Sequence, residues 1–342
     1  MPETRYDLEF LRERVRFPAT VVMGAPSAVV DLLTGIGAGS VTCYQMDLYP
    51  AVRLEAELRE YDLDARVVTL PDLWDLPAEF RTVLYPAPAK GERQLKIDMV
   101  EQAYHILQPR GQLIVLSPYE TEQFFPAELK KVFGRFHAPR TAGGPVFWSQ
   151  RDGERPRRRH EVVFQVRADT GPPLRFLSRP GVFAFGRFDN GARALTEVMD
   201  VQPGERILDI GCGTGTNGII AARRAGPDAQ VTFVDSNVRA LALTEINARN
   251  NGLTSFETVA SSGIEGTPAE AFDLALANPP YFAQQAIAAL FIERARDSLK
   301  RGGRLYLVTK QVSHVAPLVE EAFGDVRATE RRGYVVLSAQ RS

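Results

Sequence analysis

The sequence predicts an α/β protein made of two tandem copies of one open, mostly parallel sheet fold. Two observations carry this reading. The first is the stretch from Ile207 to Asn278, where three runs occur in order: Ile207–Gly215, Val231–Ser236 and Leu276–Tyr281. Each reads as the C-terminal end of a buried strand followed by a polar working group. In open α/β sheets ligands sit outside the carboxyl ends of the strands, so three strand tips in one short span describe one pocket. The second is an internal repeat. Val41–Asp47 echoes Val231–Asn237, Ala78–Pro88 echoes Ala269–Pro280, Gln108–Ser117 echoes Lys300–Thr309, and Phe125–Gly134 echoes Val315–Gly324, all at an offset near 190 residues. Four pairs in order at one offset mark a duplicated unit.

Bulk numbers bound the answer. A chain of 342 residues is too long for one ordinary core, so two domains are expected. Their boundaries are set at 1–150 for the first copy, 151–160 for a linker and 161–342 for the second. The apolar fraction of 44% suits a globular protein, and a net charge of −1 gives no global field for nucleic acid. Any RNA contact must therefore come from a local patch. Arginine far outnumbers lysine, which reads as a composition bias before an RNA-binding adaptation. Cys43 and Cys212 are far apart and form no CxxC, so no metal site is expected and a reducing cytosol fits. The first residues are charged without an apolar h-region, and no apolar run is long enough to span a bilayer. A cytoplasmic protein free of membranes is expected.

Taken in order, residues 1–20 are predicted as a helix, with Leu8, Leu11 and Val15 at helical spacing and a stop near Pro18. Thr20–Gly24 is a short strand and Ala28–Leu33 a helix. Val41–Gln45, Arg66–Leu70 and Thr82–Tyr85 are strands. A helix from about Glu92 to Leu107 ends at Pro109-Arg110-Gly111, and Gln112–Ser117 is the next strand. Arg151–His160 is polar, basic and broken by proline, either a solvated connector or an RNA-phosphate contact. Glu161–Val166 alternates as a strand does. Leu177–Arg193 is an aromatic, glycine-containing loop that either packs on its own domain or closes over a ligand. It leads into a helix with Leu195 and Val198 on its inner face.

The copies differ where chemistry belongs. Gly24–Ala28 replaces Gly211–Gly215, and Pro26 denies the open backbone of a glycine turn. Gln45 stands for Asp235, and Tyr85–Pro88 replaces Asn278–Tyr281. The first copy keeps the scaffold and loses the pocket, which leaves it substrate docking or support of the second.

In the second copy, Gly211, Gly213 and Gly215 allow a sharp strand-to-helix turn and let a ligand approach the backbone. That loop alone also suits a dinucleotide. Asp209, just before it, is placed to meet a cationic amino group and is out of place beside a phosphate. Asp235, at the second tip about twenty residues past the glycines, commonly accepts from two ribose hydroxyls, in NAD and S-adenosylmethionine (SAM) sites alike. Its other reading is an N-cap of the next helix. Asn278-Pro279-Pro280-Tyr281 is the specific signal. Two prolines remove both backbone donors. What remains is rich in acceptors, the Asn278 side-chain oxygen and the Pro279 carbonyl, which together can satisfy a planar exocyclic amine. Tyr281 adds a flat face for a base to stack on.

These residues resemble the class I SAM-dependent methyltransferases, and more closely the small-domain family of ribosomal RNA guanine-N2 methyltransferases, built as a tandem with a degenerate first fold. The resemblance covers nearly the whole chain: the duplication, the lead-in at 180–191, the glycine loop, the acidic second tip and Asn278-Pro279-Pro280. It implies two Rossmann-like methyltransferase domains with seven-stranded, mostly parallel sheets and helices on both faces. It implies that Asp209, Gly211, Gly213 and Gly215 hold the methionine end of SAM and Asp235 its ribose. Asn278 to Tyr281 then hold the target amine, with Asn278 also beside the cofactor. Ser262 falls where an acidic residue often contacts adenine. The partner implied is ribosomal RNA or a ribosomal subunit, and a monomer is expected. The ribosomal enzymes usually carry Phe-His after the paired prolines, where this chain has Tyr281-Phe282. Tyrosine there is equally common in adenine-N6 and protein glutamine-N5 methyltransferases, so these amines stand as alternatives to guanine N2. Lys310 at the rim is a candidate phosphate contact. Two other classes remain: an NAD-dependent oxidoreductase, permitted by the glycine loop alone, and a non-enzymatic RNA-binding or assembly factor with a relict site.

Overall fold

The structure, a computed structural model, describes every residue except 1–5, 38, 120, 169–170 and 280–284. The chain divides into two compact units, Met1–His160 and Glu161–Ser342.

The first unit contains helices α1 (Leu8–Arg14), α2 (Pro26–Ile36), α3 (Leu48–Glu60), α4 (Arg93–Ile106) and α5 (Phe124–Phe133). Its strands are β1 (Ala19–Val22), β2 (Val41–Gln45), β3 (Ala65–Thr69), β4 (Phe80–Pro86), β5 (Leu107–Leu116) and β6 (Val146–Gln150). They form one sheet in the order β3-β2-β1-β4-β5-β6, parallel except for β6. The strands read as unbroken apolar runs because helices cover both faces. Val21, Leu84 and Ile114 enter one core and Val22, Val83 and Val115 the other. The opening helix is shorter than the 1–20 expected. Asp7 caps it by accepting from the Phe10 N–H at 3.0 Å, and Val15 is already extended.

The second unit opens with a two-stranded hairpin, β7 (Val162–Val166) and β8 (Leu174–Ser178). Helices α6 (Asn190–Val198), α7 (Thr216–Ala225), α8 (Val238–Asn250), α9 (Gln285–Ser298) and α10 (Val312–Phe323) surround its main sheet. The strands are β9 (Arg206–Ile210), β10 (Gln230–Asp235), β11 (Phe256–Ala260), β12 (Phe272–Ala277), β13 (Leu299–Thr309), β14 (Val326–Arg331) and β15 (Tyr334–Gln340), in the order β11-β10-β9-β12-β13-β15-β14. Alternate residues of β9 and β12 enter opposite cores, Ile207 and Leu274 on one face, Leu208 and Ala275 on the other.

The two sheets repeat one another down to single hydrogen bonds. In the first, the Arg110 N–H donates to Arg151 O, and Gln150 Nε2 donates to Arg110 O. In the second, the Gly302 N–H donates to Arg341 O, and Gln340 Nε2 to Gly302 O. The expectation of seven strands in each sheet needs correction, because among the described residues the first has six. No described strand matches β14. The stretch that would supply it, 134–145, carries Pro139, Gly143, Gly144 and Pro145, and proline cannot donate to a ladder. All that survives is a bridge between His137 and Trp148.

Residues 151–160 fall in the first unit. Arg151 and Arg157 lie over the rings of Tyr104 and Trp74, at 5.3 and 5.6 Å, and His160 Nε2 meets Glu101 at 2.8 Å. Among the described residues no helix is long and apolar enough to cross a membrane.

Candidate active site at the carboxyl edge of the second sheet

Register places the site. Ile210 on β9 pairs with Val234 on β10 and with Ala277 on β12. The next residue on each strand, Gly211, Asp235 and Asn278, therefore leaves the sheet at one level. With neighbouring strands about 4.8 Å apart, Asp235 and Asn278 flank the glycine turn across roughly 10 Å.

The three glycines of that turn all have left-handed φ, and their surroundings differ. A Cβ on Gly211 would lie 3.0 Å from the Phe291 ring, and one on Gly215 2.9 Å from Thr244. At Gly213 nothing lies within 4 Å. Gly211 and Gly215 thus serve packing against α9 and α8, and Gly213 gives the turn its open side. The Gly213 N–H donates to Asp235 Oδ2 at 2.8 Å, and the Asn237 N–H to Asp235 Oδ1 at 2.9 Å. The cap of α8 is Asn237, which accepts from Arg239 and Ala240, so Asp235 is not that helix's N-cap. Its half-buried carboxylate braces the glycine turn instead.

Asp209 sits beneath the turn, 1% exposed, with Oδ2 accepting from the Gly218 N–H at 2.8 Å. That N–H is one of the donors a helix leaves unpaired in its first turn. Burial pushes the Asp209 carboxyl up to about 7, the Gly218 bond opposes the rise, and the charge of Asp235 adds to it. Gly218 has an ordinary helical φ, so its need is steric: a Cβ there would sit 2.5 Å from Phe233 and 3.0 Å from Asp209 Oδ2. One helix position earlier, Asn217 is 5% exposed, and its Oδ1 has no hydrogen-bond partner among the described residues. The Cys212 thiol between these carboxylates is buried, which raises it well above its ordinary value and keeps it protonated.

Asn278 is half-buried and its Nδ2 donates to Asp189 Oδ2 at 3.2 Å. The same oxygen accepts from Ala192 N–H at 2.9 Å as the N-cap of α6. An ionised carboxylate only accepts, so the amide nitrogen must face it, and the amide oxygen is turned the other way. Pro279 is buried. Pro280 and Tyr281 lie outside the described residues, so no geometry is attached to their expected roles.

The loop before this helix is tied to α8. Arg239, with no exposed surface, donates to Pro180 O at 2.6 Å, and Asn237 Nδ2 donates to Gly181 O at 2.8 Å. Asn247 exchanges bonds of 2.7 and 2.9 Å with Leu177 and donates to Thr214 O at 3.0 Å. The loop therefore packs on its own domain as far as Val182, while Phe183 is exposed.

Ser262 stands beside the tip of β11, half-buried. The carboxylate at that tip comes from Glu265, which accepts from Ser261 Oγ at 2.6 Å and from the Gly263 N–H at 3.0 Å. Lys310 lies over the Tyr334 ring at 4.5 Å. Sequence reasoning passed over Asp189, Asn217, Gly218 and Glu265. Asp189 was within sight, in an Asp-Asn-Gly run before a helix. The others depend on contacts that only the fold creates. Among the described residues no group of three His, Cys, Asp or Glu is placed to hold a metal ion.

Fold and edge together give a doubly wound sheet in the order β11-β10-β9-β12-β13-β15-β14, with a glycine turn after β9 and an acid at the tip of β10. Residues 173–338 match the family model of the methyltransferase small domain. Among curated relatives, the ribosomal RNA small subunit methyltransferase C of Pseudomonas entomophila is 35% identical over 185 residues, 52% of this chain and 54% of that protein. The enzyme of the same name from Ectopseudomonas mendocina is 37% identical over 185 residues, with the same coverage. The chain thus matches over about half the length of these relatives. Among solved structures, the T. thermophilus 16S rRNA N2 methyltransferase RsmC, in complex with AdoMet and guanosine, aligns with a TM-score of 0.76. That alignment spans 98% of this chain and 92% of the other at 23% identity, and it shows a shared fold.

Two outcomes follow from this geometry. Gly218→Ala must push aside Phe233 or Asp209 and is expected to cost about 1–3 kcal/mol of stability, read by urea denaturation. An unchanged midpoint contradicts the close approach. The folded-state value of Asp209, about 7, lies above the ordinary 3.8. Stability from its neutral form is therefore complete below 3.8 and lost as pH rises through about 7. Wild type is expected to lose stability relative to Asp209→Asn across that window, and parallel pH profiles contradict it.

Proposed function

We propose that this chain is a SAM-dependent N-methyltransferase that methylates an exocyclic amine, guanine N2 of small-subunit ribosomal RNA. The observation that carries the reading is the Asp189–Asn278 bond at the edge that also bears Asp235 and Gly213. An amide locked by a carboxylate on one side presents an acceptor on the other. Joined by the Pro279 carbonyl, it suits an amine with two N–H donors. A reacting hydroxyl offers one donor and leaves an acceptor unmet. The relatives named above favour guanine N2 over adenine N6 and glutamine N5.

The residues fit SAM on grounds of their own. Gly213 leaves its backbone open, Asp235 offers a carboxylate that a ribose diol matches, and Asn217 Oδ1 is buried without a described partner. When bound, SAM supplies an electrophilic methyl group on a sulfonium. Asp235, braced by the Gly213 and Asn237 N–H groups, holds the ribose end. Asp209 fixes the first turn of α7 and, with it, the shape of the glycine loop. Asn278 Oδ1 and Pro279 O hold the target nitrogen and orient its lone pair, which is catalysis by alignment. The same two acceptors stabilise the positive charge that grows on nitrogen as it attacks. No strong base is required, since the proton leaves readily after transfer. A paired target base has to be flipped out to reach this edge.

The first unit is proposed as a non-catalytic scaffold or docking domain. Its equivalent tip is closed. A Cβ on Gly24 would lie 2.9 Å from Pro86, Pro26 opens α2, and buried Gln45 donates to Gly24 O at 3.4 Å where the second unit has Asp235. The ribosomal partner and a cytoplasmic location belong to the same proposal.

Asn278→Ala is expected to leave SAM affinity within a few-fold and to lower methyl transfer to ribosomal subunits by about 10²–10³-fold. Unchanged transfer removes the amine clamp. Assays on subunits, free RNA and release factors separate the three candidate amines. Isothermal titration is expected to give one SAM per chain, and two per chain overturns the closed first tip.

A further inference from the structure

The first unit carries a cleft that the proposed chemistry does not use, at the opposite end of its sheet from the strand tips. It has a volume of about 560 Å³ and is lined by Arg14, Arg16, Arg81 and Arg110, with Glu13 its one carboxylate. Arg16, Arg81 and Arg110 are exposed and Arg14 is half-buried. Among the described residues none of the four guanidiniums meets a carboxylate at ion-pair distance. Arg14 is held ready: its guanidinium lies over Trp148 at 3.3 Å from the ring centre, and Nε donates to Gln112 Oε1 at 2.9 Å. Burial and the charge of Arg16 both lower its proton affinity, as expected where positive charge is left uncompensated.

The duplication supplies an internal control. Phe80 pairs with Leu107 and Thr82 with Gln112, while Phe272 pairs with Leu299 and Leu274 with Arg304. Arg81 therefore occupies the place of Asp273. Ala19 pairs with Thr82 as Ile207 pairs with Leu274, so Arg16 occupies the place of Gly204. The matching bonds of the two hairpins put Arg110 where Gly302 stands. In the second unit this end of the sheet is neutralised. Lys300 meets Asp273 at 2.7 Å, and Arg304 meets Asp200 at 3.0 Å and Glu205 as well. In the first unit a guanidinium replaces a carboxylate, and two more arise from glycine positions. One of these carries a backbone cost: Arg110 has φ +65°, which glycine adopts freely and arginine does not.

We propose that this cleft is a binding site for the phosphodiester backbone of RNA. Four guanidiniums exceed what one small anion neutralises, whereas a polynucleotide brings one negative charge per linkage. Arginine's planar fork matches phosphate oxygens in pairs. The site needs no base readout, so it positions substrate and leaves sequence choice elsewhere. The proposal rests on the reading above only in taking the polyanion to be the substrate RNA.

The test is direct binding by fluorescence anisotropy, using the full chain, a labelled small-subunit rRNA stem-loop and no SAM, over a range of salt. The triple variant Arg16→Ala/Arg81→Ala/Arg110→Ala is expected to bind at least about tenfold more weakly. Its log–log salt slope is expected to fall by about 2–3, since each phosphate contact contributes about 0.7–0.9. Arg81→Asp, which restores the second unit's residue, is expected to weaken binding alone. Arg110→Gly is expected to weaken binding with a Tm no lower than wild type, an outcome that a structural role for Arg110 does not give. Unchanged affinity and slope overturn the proposal. So does saturable binding of inorganic phosphate that the triple variant abolishes while RNA affinity stays the same. The triple variant is expected to keep wild-type SAM affinity by isothermal titration, so failure of docking and failure of the cofactor site are read separately.

Discussion

The working edge of the second unit depends on one carboxylate. Asp189 Oδ2 accepts from the first turn of α6 and from the side chain of Asn278, 89 residues away. That shared acceptor ties the segment before the sheet to the tip of β12 and settles which end of the amide faces Asp189. The same device recurs across the edge. Asp235 takes two backbone N–H groups and sets the glycine turn, and Asp209 takes one and sets the helix behind it. Three carboxylates bonded to backbone or amide nitrogen thus fix three neighbouring groups. The parallel register brings β10, β9 and β12 out of the sheet together.

The duplication shows what the fold alone requires and what the site adds. Both units keep the central parallel order, the hairpin with its paired backbone bonds, and two cores on opposite faces. The first unit has filled its tip with Pro86 and Pro26 and has placed arginines at the far end of its sheet. The second has kept glycine at its tip and balanced its charges at the far end. The proposed docking cleft of the first unit and the proposed cofactor edge of the second thus occupy opposite ends of the shared scaffold.

Much of the architecture was legible in the sequence because buried parallel strands must be continuous apolar runs, and the repeat showed them twice. The missing strand in the first sheet was not legible from the echo alone, since the prolines at 139 and 145 count only once the pairing partner is known. Gly213, Asp235 and Asn278 stand out in the sequence because they sit at strand ends, and the register brings those ends to one level. The roles of Gly211 and Gly215 were blurred, because only packing against Phe291 and Thr244 separates them from Gly213. Asp189 was seen as part of a lead-in and not as a partner of Asn278, since no local pattern announces a contact so distant in sequence. Gly218 was hidden by its ordinary backbone angle and becomes necessary only against Phe233.

The most direct measurement is a structure of the full chain with S-adenosylhomocysteine and guanosine. The account predicts guanine N2 within hydrogen-bond distance of Asn278 Oδ1, with Nδ2 still on Asp189 and the ribose of the cofactor product on Asp235. A guanine amine held elsewhere, or an Asn278 amide turned so that its nitrogen faces the base, contradicts it.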